Sequence, residues 1–159
     1  MIRSSLKSAA LAGAILLSSA LTVSAQQVKL SATLNGGEEA PNKVSTGASG
    51  TVQVNVDQTA KEITVNMRIY NVPVGTTASH IHVGAPDVAG PIIFDLVPPV
   101  GTTGDFSLDI RLSSAHLIPR AAQGILTMDD AIQALVTGNT YINLHTTSNP
   151  AGEIRGQLR

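Results

Sequence analysis

The 159-residue chain has no cysteine, no tryptophan and two each of phenylalanine and tyrosine, and its ten basic residues face eleven acidic ones. Disulfide staples and thiolate metal sites are therefore excluded, stacked aromatic sugar platforms lack their residues, and no run of Lys and Arg offers itself to a phosphate backbone. No nucleic acid partner is expected.

Residues 1–25 have the pattern of a cleavable signal peptide. Arg3 and Lys7 precede the apolar run A-A-L-A-G-A-I-L-L-S-S-A-L-T-V, and Val23-Ser24-Ala25 places small residues before Gln26. The run is short for a membrane span of about 20 residues, and no cysteine follows it for lipid attachment. The mature part, residues 26–159, is expected to be a single domain, periplasmic or secreted, with no stable membrane span after cleavage. Its formal charge is −3, because the leader removes two cations and no acid.

Val28, Leu30, Ala32 and Leu34 alternate with polar residues, the period of a strand with one buried face. A polar loop with Gly36-Gly37 and Pro41 ends it. Val52, Val54 and Val56 mark a second strand, and Ile63, Val65, Met67 and Ile69 a third, with Asp57 to Ala60 turning between them as a hairpin. A-S-H-I-H-V at 78–83 is a shorter strand closed by Gly84-Ala-Pro86. Residues 92–97 give another, ended by Pro98-Pro99, and Phe106, Leu108 and Ile110 supply the next.

The segment 113–124 is irregular. Thr127 then has the character of an N-cap, with Asp129 and Asp130 at the positive end of a short helix that stops at Thr137-Gly138. Residues 141–145 and 153–158 form the last two strands, and Gly156 leaves room for a close neighbour or a bend. Many short strands with a single helix predict an all-β fold: an antiparallel β-sandwich or partly closed barrel, with one short helix before the last strand pair.

Period two puts His80 and His82 on one face of their strand and Ile81 and Val83 on the core face. In the late pair, Tyr141, Asn143 and His145, then Glu153, Arg155 and Gln157, share the histidine side. Three imidazoles and a carboxylate, His80, His82, His145 and Glu153, thus form a candidate metal site for zinc or copper, both of which favour neutral imidazole nitrogen. Glu153, Glu39, Asp87 and Asn143 are candidates to fix the other ring nitrogens. His116, beside Leu117, reads as structural or exposed.

No catalytic residues are assigned. Ser79 and His80 point to opposite faces, and Glu38-Glu39, adjacent in a loop, reads as a solvated edge or a turn and cannot flank a scissile bond. Gly36-Gly37 lacks the Lys-Ser or Lys-Thr of a phosphate loop.

The stretches Leu34-Asn-Gly-Gly-Glu38-Glu-Ala-Pro41, Thr46-Gly47-Ala48, Ala78-Ser-His80-Ile-His82 and Gly138 through Gln157 resemble the CHRD domain, a module named for chordin and also found as a stand-alone exported bacterial protein. The resemblance spans residues 28–159 in order and spacing. It departs at Ala40-Pro41, where the family commonly has Pro-Pro, and at Val83-Gly84, where a glycine commonly follows the second histidine. It implies an all-β domain of poorly defined activity. Growth-factor binding by chordin is associated with cysteine-rich modules, which this chain lacks.

The H-x-H strand is also similar to the copper strand of Cu,Zn superoxide dismutases. Their remaining ligands and cysteine pair have no counterparts here, so dismutase activity is not implied. The expectation is an exported noncatalytic binding or structural module with a transition metal on the H-x-H face, its partner an extracytoplasmic protein or surface component. The alternative is a small extracytoplasmic metalloenzyme holding copper or zinc at a His-rich surface site. A purely structural surface or matrix protein is a third reading.

Overall fold

The computed structural model describes residues 26–159; the leader assignment for residues 1–25 lies outside the described residues. Alternating apolar residues generate the first three strands: β1 (Gln27–Asn35), β2 (Ser49–Asp57) and β3 (Glu62–Val72). Their inward residues, Leu34, Val52, Val54, Val56, Ile63 and Val65 among them, are fully or almost fully buried. The β2–β3 turn is fixed by Asp57, whose Oδ1 accepts from the Thr59 and Ala60 amides. That side-chain turn supports the predicted hairpin, paired from Ser49↔Tyr70 to Asp57↔Glu62.

Five strands and the helix α1 make up the rest of the chain: β4 (Thr76–Val83), β5 (Ile92–Asp95), β6 (Gly104–Leu112), α1 (Met128–Val136), β7 (Thr140–Thr146) and β8 (Ile154–Gln157). All pairings are antiparallel, in the order β5-β4-β7-β8-β1-β2-β3-β6. The eight strands make one nearly closed barrel, so of the two predicted architectures the barrel is the one adopted. The helix lies where the sequence puts it. Thr127 accepts from the Asp130 amide, Asp130 returns a carboxylate to the Thr127 amide, and Gly138 leaves the helix at φ +73°. Its inward residues Ala131, Ile132 and Leu135 join the barrel's apolar core.

One expectation changes. The sequence pattern makes the histidine-bearing side of β4, β7 and β8 an outward surface, yet every residue of β7 and β8 is buried. The loop 84–91 is held across that side by side chains projecting from the strands. Arg155 donates to the Val88 and Ala85 carbonyls at 3.0 Å each, Gln157 donates to the Gly84 carbonyl, and the Tyr141 hydroxyl accepts from the Gly90 amide. β7 and β8 are therefore buried on both faces, one on the barrel core and one under the loop, whereas β4 is covered at His82 and leaves Ala78 and His80 half-buried.

Candidate functional site

His80 and His82 project from β4, and His145 from the adjacent β7, where Ala78 faces His145 and His80 faces Asn143 across the ladder. Their ligating nitrogens all lie within 4.8 Å of one another. His80 Nδ1 is 3.0 Å from His145 Nε2. The strand pairing brings together three of the four predicted site residues.

Glu153 is not among them. Its carboxylate accepts from Thr46, from Thr146 at 2.8 Å and from Asn149 at 2.5 Å. Glu153 precedes the regular part of β8, and its oxygens meet Thr146, which points away from His145 on the same strand. The carboxylate consequently ties three loop and strand segments together, and the convergence expected with the imidazoles does not occur.

Each imidazole has a partner on its far side. His82 Nδ1 lies 2.8 Å from the Gly90 carbonyl, His145 Nδ1 lies 3.0 Å from the Pro150 carbonyl, and His80 Nε2 lies 3.4 Å from Asp95 Oδ1. Carbonyls only accept, so they hold the protons of His82 and His145 on Nδ1 and leave Nε2 as a lone-pair donor. Burial lowers all three pKa values, that of His82 to about 4, against a weaker raising effect of the Gly90 carbonyl. The rings are neutral at physiological pH, the form a metal requires.

Of the four residues proposed to fix ring nitrogens, Asn143 alone reaches the site, its Oδ1 3.0 Å from both His82 Nε2 and His145 Nε2. Asp87 pairs with Lys43 at the surface, and Glu39 is buried elsewhere, against Gly152. The expected solvated Glu38-Glu39 edge is half right: Glu38 is exposed, Glu39 is 3% exposed, and burial pushes its carboxyl up to about 7. Asp95 also reaches the cluster, behind His80. Its signal was a lone charge ending the apolar run Ile92-Ile-Phe94, and the β4–β5 register sets it opposite His80. Tyr141 stacks on His82 at 4.6 Å, with rings 8° from parallel, and carries the Arg155 guanidinium 3.4 Å from its centroid. His116 is exposed and accepts from the Ser113 amide, a structural role.

A small antiparallel β-barrel module with a cluster of three histidines, two buried and one half-buried, is the class that fold and site define. Residues 30–158 match the CHRD domain, and the chain belongs to that family. No curated protein and no solved structure matches it. Among the described residues, no helix is long and apolar enough to cross a membrane.

Proposed function

We propose that this chain is an exported, noncatalytic binding module of the periplasm or cell exterior that holds one zinc or copper ion between His80, His82 and His145. The observation that carries the reading is the orientation of the three rings. Each has its far nitrogen against a carbonyl or carboxylate, and the remaining nitrogens turn toward one another. Such outer partners are the usual support of histidine ligands, fixing the tautomer and aiming the lone pair. Neutral imidazoles drawn together this closely in a dry site gain nothing from one another beyond a single shared proton. A cation gives all three lone pairs a partner.

A binding role is favoured over a metalloenzyme by the enclosure of the cluster. His82 and His145 are buried, and the side chain of His80 is 14% exposed. A hydrolytic or redox centre needs an open coordination position that substrate can reach. Export follows from the leader pattern and is compatible with a cysteine-free domain.

The test is metal analysis of tag-free protein together with calorimetric titration of zinc and copper(II). One equivalent should bind, and the H82A/H145A double variant should lose at least a hundredfold in affinity. Stoichiometric binding that survives this substitution, or no binding by folded wild type, defeats the metal reading. Secretion is checked separately, by N-terminal sequencing of protein from the culture fluid or periplasm, which should begin at Gln26.

A further inference from the structure

Asn143 completes the cluster in a way that depends on the metal reading and extends it. It sits on β7 two residues before His145 and opposite His80 in the ladder, and is 3% exposed. Its Oδ1 stands 3.0 Å from His82 Nε2 and 3.0 Å from His145 Nε2. Both those nitrogens carry lone pairs, because the Gly90 and Pro150 carbonyls take the protons on the opposite side of each ring. A carboxamide oxygen facing two imidazole lone pairs is a meeting of acceptors with no proton between them.

Two chemical states relieve that conflict. In one, the amide turns by 180°, which exchanges Oδ1 and Nδ2 without changing shape, so that Nδ2 donates toward the imidazoles. His80 then carries its proton on Nδ1 and donates a hydrogen bond to His145 Nε2, 3.0 Å away, while Nδ2 serves His82 Nε2. In the other, a cation occupies the convergence, and His80 carries its proton on Nε2 facing Asp95 Oδ1. Three nitrogens and Oδ1 then all point to the ion.

We propose that Asn143 is the fourth ligand: Oδ1 coordinates the ion in the loaded protein, and the amide turns Nδ2 to the imidazoles when the ion leaves. The site is then closed, with three nitrogens and one oxygen in four-coordinate geometry and no position for water or substrate. All four donors are neutral, so the dipositive ion keeps its charge, and the Asp95 carboxylate behind His80 is the nearby compensating group. Hard carboxamide oxygen with imidazole suits zinc or copper(II). Copper(I), which seeks thiolate or thioether, is disfavoured.

Cobalt(II), a visible-absorbing stand-in for zinc, tests the assignment. Wild type should bind one equivalent with the intense bands of a four-coordinate ion, displaced by zinc. N143D should keep the band pattern and bind about tenfold tighter or better, since it adds charge at the same position. N143A should lose on the order of 10- to 100-fold in affinity and show weaker, shifted bands as water enters. N143A that matches wild type in spectrum and affinity overturns the role of Asn143 and leaves the three-histidine site standing. Failure of folded wild type to bind cobalt or zinc overturns both. Should N143A not fold, heteronuclear NMR of the wild type decides. The Asn143 side-chain amide resonances must move on addition of one equivalent of zinc, and unmoved resonances refute the turn.

Discussion

Burial pushes the Glu39 carboxyl from 4.5 up to about 7 and the His82 imidazole from 6.5 down to about 4, so the two give the fold opposite pH dependences. In Glu39 desolvation outweighs the attraction of Arg155. The native protein keeps a proton on Glu39 that the unfolded chain releases, a stabilisation complete below about 4.5 and lost as pH rises through 7. His82 runs the other way. The unfolded chain takes up a proton below 6.5 that the native protein refuses until about 4, so stability falls on acidification through that window. E39Q separates the two effects. Urea unfolding at pH 5 and pH 8 should show the stability of wild type relative to E39Q dropping by about 2.5 kcal/mol between them. A difference that does not change with pH would mean that Glu39 is ionised throughout. Nothing near Glu39 in the sequence announces this burial. Glu38 beside it is exposed, and the neighbour that encloses Glu39 is Gly152, where any Cβ would collide with the carboxylate.

At the scale of elements, the strands were legible because one face of each is apolar at period two, and the helix because Thr127, Asp130 and Gly138 are specific terminus signals. Gly156 was legible too: a Cβ there would stand 2.5 Å from the Thr33 carbonyl, the close approach that a glycine inside a strand implies. The covering of the histidine face was not legible. It is made by a loop of Gly, Ala, Pro, Asp and Val with no periodicity, held by main-chain carbonyls that any sequence possesses. Arg155 is the latch of that loop. It is 2% exposed, donates to two loop carbonyls and stacks on Tyr141. R155K keeps the charge but cannot make two directed donations from a planar group lying on the ring. It should cost about 2 kcal/mol in chemical denaturation. Hydrogen exchange should accelerate in residues 84–91 while β2 and β3 retain their relative protection. Loop protection equal to that of wild type would show that Arg155 does not hold the loop.

For the whole molecule, the metal reading couples local chemistry to barrel closure. His80 and His82 are neighbours in sequence, but His145 reaches them through the β4–β7 pairing, Pro150 adds a carbonyl from the loop before β8, and Gly90 adds one from the latched loop. The unfolded chain retains the H-x-H pair alone, so under the proposed metal reading an ion would bind the native barrel far better than the coil. On that reading the ion would clamp β4 to β7, whose ladder runs from Thr76↔Thr146 to Val83↔Thr140, and through Gly90 and Pro150 it would engage the loops that flank them. At free zinc about 100 times its dissociation constant, preferential binding to the native state adds about 2.7 kcal/mol. For a domain of this size that corresponds to a Tm rise on the order of 10 °C. Calorimetry with zinc buffered at that level should show the rise, a chelator should abolish it, and the H80A/H82A double variant should show none. A rise that persists in the double variant places the stabilising ion elsewhere. No rise in wild type at a zinc level shown by titration to saturate it would mean that the unfolded chain binds the ion as well as the native barrel does, leaving the H-x-H pair as the whole of the site.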